Sequence, residues 1–83
     1  MNKVSPSELI GELIKIKNRS LMENFLLGLL TPKELEELPM RVRIVKMLKK
    51  GISQTEIAKR LGVGIATVTR GSRELKSGRF KNI

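Results

Sequence analysis

The 83-residue chain contains no cysteine and no histidine. Without cysteine there is no disulfide, no thiolate nucleophile and no cysteine-held metal. Without histidine the commonest general base and a leading metal ligand are missing too. These two absences argue against an enzyme and against a metal site. No apolar run approaches the ~18 residues of a membrane helix. The opening MNKVSPSEL lacks the hydrophobic region of a signal peptide. The expected setting is the cytoplasm, with no membrane partner. Phe80 is too isolated to form a stacking platform for single-stranded nucleic acid. No strand pattern, internal repeat or low-complexity segment is present, which leaves all-α as the fold class. At this length the chain buries only about 60–65% of its unfolded surface, so one small domain with a marginal core is expected.

Acidic residues are also scarce, but only in the second half. Residues 1–39 hold five Lys/Arg and six acids, a balance of −1, whereas residues 40–83 hold twelve Lys/Arg against Glu56 and Glu74, a balance of +10. Positive charge segregated in this way is the electrostatic footprint of a polyanion binder. The plain alternative is a solvated face that serves solubility. Inside the basic half, Ser53–Leu75 (SQTEIAKRLGVGIATVTRGSREL) reads as helix, tight turn, helix. Ser53 caps the first helix, with Glu56 three residues on as a capping box. Ala58 is the small residue needed where two helices cross steeply, and Gly62 supplies the turn. Ile57, Leu61, Val63, Ile65 and Val68 are spaced to clip the two helices together. Gly64, Ala66, Thr67, Thr69 and Arg70 are left on or near the outer side. Small and hydroxylated residues suit a helix entering a groove about 12 Å wide. Lys59 and Arg60 suit phosphate.

Ahead of this segment the chain predicts more helices. Ser5-Pro6-Ser7-Glu8 is a helix start, with Leu9, Ile10, Leu13 and Ile14 at helical spacing and an end near Asn18 or Arg19. Ser20 with Glu23 predicts a second start, followed by Leu21, Met22, Phe25, Leu26, Leu29 and Leu30. Gly28 would admit another backbone. Thr31-Pro32-Lys33-Glu34 is the clearest boundary, with Thr31 as cap and Glu34 closing a capping box. Pro39 ends or kinks that helix. Val42, Ile44, Val45 and Leu48 then face inward up to Gly51, a natural C′ residue. The tail, residues 77–83, is basic and expected to be mobile. The organisation expected over residues 1–83 is a single domain: dimerisation helices at 1–30, connecting helices at 31–51, a helix-turn-helix at 53–76 and the tail at 77–83. The first two helices carry more apolar surface than a monomer of this size covers. A symmetric homodimer is the simplest remedy. It would also place two recognition helices about 34 Å apart for a palindromic duplex site. The bland alternative folds those helices back onto their own chain.

Leu30–Leu75 resembles the bacterial tryptophan repressor family. The residues that carry the resemblance are LTPKELEEL at 30–38, RVRIVKMLKKG at 41–51, SQTEIAKRLGVGIATVTRGS at 53–72, and Leu75-Lys76. The string GIATVTRGS at 64–72 is the most specific part. The resemblance implies an all-helical, intertwined homodimer that represses transcription when L-tryptophan binds, with a double-stranded DNA operator as partner and no metal. It implies an indole held between Arg41 and Arg70, with Gly71 allowing close approach to the backbone. Thr31 and the backbone of Gly28 and Leu30 would come from the partner subunit. Glu74 stands at the position that meets the ligand's amino group, where the family carries a small polar residue. The implied DNA face is Arg43, Gln54, Thr55, Lys59, Gly64, Ile65, Ala66, Thr67 and Thr69.

On the residues alone, Arg41 and Arg70 read first as phosphate contacts or exposed helix ends. Gln54 reads as a helix-start residue, and Thr67 and Thr69 as exposed side chains. Three functional readings therefore stand: a tryptophan-dependent repressor, a ligand-independent DNA-binding protein on the same scaffold, and a protein-interaction module built on the N-terminal apolar helices.

Overall fold

Local capping chemistry sets the boundaries of five helices in this computed structural model, which describes residues 3–83. In order they are α1 (Pro6–Lys15), α2 (Arg19–Leu29), α3 (Pro32–Lys49), α4 (Gln54–Leu61) and α5 (Ile65–Lys76). No strand occurs among the described residues, and the chain is all-α. It divides into two compact units, one ending at Leu35 and the other spanning Glu36–Ile83. The first two residues of the expected dimerisation segment lie outside the described residues.

In the first unit Ser5 caps α1 by accepting from the Ser7 N–H at 3.1 Å. The helix stops at Lys15, short of the expected Asn18 or Arg19, and Ile16 is extended. The reason is that Asn18 is taken as the cap of α2, its Oδ1 accepting from the Leu21 N–H at 2.8 Å. Ser20, the expected cap, lies inside the helix instead. Glu23 pairs with Arg19 at 3.0 Å rather than closing a box on Ser20. Neither α1 nor α2 buries a residue. Leu9, Ile10, Ile14, Leu21, Leu27 and Leu29 are all exposed, Ile14 and Leu27 by about two thirds. A Cβ at Gly28 would meet nothing within 4 Å among the described residues. The Thr31–Glu34 capping box forms in full, with the Glu34 N–H donating to Thr31 Oγ1 at 3.2 Å and the Thr31 N–H to Glu34 Oε1 at 2.9 Å.

Helix α3 runs through Pro39 as one 18-residue element, so of the two alternatives the sequence offered the proline does not end it. Proline has no N–H for the Leu35 carbonyl. Packing further along offsets that loss: Ile44 and Val45 are both 1% exposed. Lys49 and Gly51 close the helix, Gly51 at φ +84° and with the Ile52 N–H reaching back to the Met47 carbonyl at 3.2 Å. That is the six-to-one bond of a glycine-ended helix. Val42, expected inward, is 44% exposed.

The second unit is held by Ile44, Ile57 and Val68, one from each of α3, α4 and α5, with Met40, Met47, Leu48, Ile52, Ala58, Leu61 and Val63 packed around them. Ser53 caps α4 through the Glu56 N–H at 3.2 Å, while the Glu56 carboxylate turns to Arg60 at 2.9 Å and leaves the capping box half made. Gly62 closes α4 in the left-handed conformation at φ +65°. Gly64 then starts α5. Ile65, expected among the residues clipping the two helices together, is 48% exposed. It is the first residue of α5, whereas Val63 in the turn, from the same expected set, packs against the core.

The segment after α5 is folded rather than loose. The Arg79 N–H donates to the Glu74 carbonyl and the Gly78 N–H to the Leu75 carbonyl, both at 3.1 Å, with Gly78 at φ +100°. Lys49 at the end of α3 then donates its Nζ to the Phe80 carbonyl at 2.5 Å. These turns and the Lys49 bond link the end of α5 to α3.

Candidate nucleic-acid interface and ligand groove

The outer edge of the α4–α5 pair is built from short side chains. Gly64, Ile65, Ala66 and Thr67 are exposed at the start of α5, and Thr55 and Lys59 are exposed on α4. Arg43, on α3, is exposed as well. Lys59 and Arg43 have no ion-pair partner among the described residues, whereas Arg60 is drawn to Glu56. Gln54 and Thr69 are half-buried and do a different job from the rest of the set. Thr69 Oγ1 donates to Gln54 Oε1 at 2.7 Å, across the angle between the two helices. Gln54 is thus more than a helix-start residue: it braces α5. Thr69 Oγ1 also lies 3.0 Å from the Ile65 carbonyl, but its single proton serves one acceptor at a time. Thr69→Val removes the donor and keeps the shape. It should destabilise the unit by about 1 kcal/mol, read as a lower denaturant midpoint with an unchanged slope.

Behind this edge, α3 and α5 enclose an open groove of about 860 Å³. Helix α3 lines it with Leu38, Arg41, Val42, Ile44 and Val45; α5 with Ala66, Thr67, Arg70, Gly71 and Glu74; the turn after α5 with Arg79 and Phe80. Of the residues expected around a ligand, Arg41, Arg70, Gly71 and Glu74 are brought together here. Thr31, Gly28 and Leu30 are not among the lining residues. Arg70 is exposed and has no ion-pair partner among the described residues. Arg41 Nη2 lies 3.5 Å from Glu37 Oε2, and Glu74 Oε2 lies 3.8 Å from Arg79 Nε. The groove therefore joins an aliphatic floor to guanidinium groups and one carboxylate. Such a lining suits a flat apolar body with charged ends. Gly71 has a structural reason besides ligand access. A Cβ there would meet Ile44 Cγ2 at 3.2 Å and Leu48 Cδ1 at 3.6 Å, so the glycine lets α5 lie close against α3.

Ala66 and Thr67 belong to both features. They stand on the exposed edge of α5 and also line the groove. The lining residues that sequence reasoning did not place at a site are Leu38, Val42, Ile44, Val45, Arg79 and Phe80. For α3 the signal was available: Leu38, Arg41, Val42 and Val45 stand at i, i+3, i+4 and i+7, a single helical stripe. For Phe80 there was none, because a backbone turn places it. Among the described residues no group of acidic side chains could hold a metal ion, and no helix is long and apolar enough to cross a membrane.

A three-helix unit whose last two helices are joined by a tight turn closed by Gly62, with a charged groove beneath the second, is a helix-turn-helix protein. The chain belongs to the family described as Trp repressor protein, whose pattern it matches over residues 6–82. It is 53% identical over 70 residues to a Trp operon repressor homolog of Vibrio parahaemolyticus, a match covering 82% of this chain and 68% of that protein. It is 57% identical over 56 residues to the homolog of Vibrio campbellii, covering 66% of this chain and 56% of that protein. With the homolog of Vibrio vulnificus the identity is 51% over 69 residues, 81% of this chain and 68% of that protein. No solved structure matches the chain at a significant level. By family the chain is a Trp repressor-like regulator of transcription, not an enzyme.

Proposed function

We propose that the chain is a homodimeric, sequence-specific double-stranded DNA-binding repressor in the cytoplasm, with L-tryptophan as its corepressor. The observation that carries this reading is the groove shared by Arg41 and Arg70 directly behind Ala66 and Thr67. Whatever fills that groove bears on the residues offered to DNA. A ligand that favours one placement of α5 over another raises DNA affinity by its own differential affinity for the two. The indole would lie between the Arg41 and Arg70 guanidinium planes, which stack on aromatic faces, while an arginine also holds the carboxylate. Gly71 leaves room at the α5 backbone. Glu74 offers a carboxylate to the ammonium. Thr31, Gly28 and Leu30 would complete the site from a partner subunit.

The dimer is supported by the apolar side chains that α1 and α2 leave in water, since a second copy of the same helices would cover them. On DNA, Ala66 and the Thr67 methyl suit thymine methyl groups, and the hydroxyls of Thr55 and Thr67 suit base edges or bridging water. Gln54 and Thr69 hold α5 at its angle, and Gly64 and Ile65 let its start approach the bases. Arg43 and Lys59 suit phosphate.

Selection from a random duplex pool tests the proposal. Palindromic sites with half-sites about one helical turn apart should be enriched when L-tryptophan is present. Enrichment that is the same without tryptophan would favour ligand-independent binding, and no enrichment at all would favour a protein-interaction module. Lys59→Ala should weaken binding to every sequence alike and reduce the slope of log affinity against log salt by about one unit.

A further inference from the structure

Phe80 is the one side-chain-bearing residue among those described with a positive φ, +62°. L-residues disfavour that conformation, and it persists only where the surroundings impose it. Here they do. The C-terminal bonds of α5 fix residues 78 and 79, and the Phe80 carbonyl accepts from Lys49 Nζ at 2.5 Å and from the Ile83 N–H at 3.3 Å. The ring that results is 37% exposed and lines the groove. It is the only aromatic side chain of the Glu36–Ile83 unit. The apolar residues it joins there, Leu38, Val42 and Val45, are all aliphatic. A large apolar side chain left more than a third exposed, on a strained backbone tied to α3 by the Lys49 hydrogen bond, is available to whatever enters the groove.

We propose that Phe80 is a specificity-determining residue of the groove, the apolar wall against which the ring of a planar aromatic ligand packs, and that Lys49 positions it. This rests on the reading of the groove as a tryptophan site and adds to it a contact from outside α3 and α5. Aromatic rings packed edge-to-face or offset gain more than their buried area alone. An aliphatic ligand of the same volume would lack that gain.

The chain contains no tryptophan and no tyrosine. The change in fluorescence of added L-tryptophan therefore reports its binding with no contribution from tryptophan or tyrosine of the protein. Titrations would use the full chain as wild type, Phe80→Leu, Phe80→Ala and Lys49→Met, with circular dichroism melts of each. Phe80→Ala should bind L-tryptophan about tenfold more weakly, and Phe80→Leu and Lys49→Met should fall between it and the wild type. Helix content should be unchanged in the Leu and Met variants, which decide the matter if the alanine variant fails to fold. A wild type that binds tryptophan alongside Phe80 variants within about twofold of it, or tighter, overturns this inference alone; tighter binding would make the ring a plug. A wild type that binds no tryptophan overturns the reading of the groove, and this inference with it.

Discussion

Ile57→Ala is expected to unfold the Glu36–Ile83 unit well below the wild-type melting temperature. Ile57 is 0% exposed and is the sole α4 member of a core cluster whose other buried residues are Ile44 and Val68. Truncating a buried isoleucine to alanine costs about 2–5 kcal/mol, at the upper end where the site cannot collapse. Here collapse is opposed on two sides. The Val63 N–H bond to the Ala58 carbonyl at 3.1 Å closes the turn, and the Gln54–Thr69 hydrogen bond holds the helices at their angle. Domains of this size have about 5 kcal/mol of stability to lose. For a 60–100-residue domain each kcal/mol moves Tm by about 4–8 °C, so a drop of at least about 10 °C is expected. Circular dichroism reads it directly, and a shift of only about 2 °C would show that α4 is held by something other than this core.

Arg70→Ala is expected to lower L-tryptophan affinity about a hundredfold and leave the fold intact. Arg70 is exposed and carries no ion pair among the described residues, so nothing in the folded chain depends on its charge. In the proposed complex it contributes a cation–π contact of about 0.5–2 kcal/mol and a charge-assisted hydrogen bond of about 1.5–3 kcal/mol. A combined loss near 2.8 kcal/mol is about two decades of affinity. The effect of tryptophan on DNA binding should vanish with it. Arg41 carries the same chemistry but is engaged at 3.5 Å by Glu37, an exposed and therefore weak pair. Calorimetry of wild type and Arg70→Ala against L-tryptophan, with a melt of each, separates lost binding from lost fold.

The helix-turn-helix was legible because each of its parts has a local cause. Ser53 caps, Gly62 takes a left-handed φ, and Ile57 and Val68 supply the buried apolar positions; all four are where the sequence places them. The Thr31–Glu34 box was legible for the same reason. Competition between neighbours was harder to read. Asn18 and Ser20 are both good caps, and nothing in the spacing says that Asn18 takes the role. Pro39 does not end the helix because its backbone penalty is local, whereas the packing of Ile44 and Val45 that offsets it lies further along the helix. Ile65 reads as core by type and spacing, yet as the first residue of α5 it stays 48% exposed, while Val63, read the same way, packs on the core. The groove was half legible. Arg41, Arg70, Gly71 and Glu74 followed from the family resemblance, and the α3 stripe from spacing. Phe80 is set by the turn of chain after α5 and by Lys49, a contact between residues 31 apart. No periodicity reaches that far.

Fluorescence anisotropy of a labelled duplex, bearing the selected palindrome and titrated with the full chain at physiological salt, tests the central claim most directly. With saturating L-tryptophan the affinity should rise at least about tenfold over the ligand-free chain, the lower end of the coupling expected between two sites on one helix. Equal affinity with and without tryptophan, or no binding to the duplex at all, would contradict it.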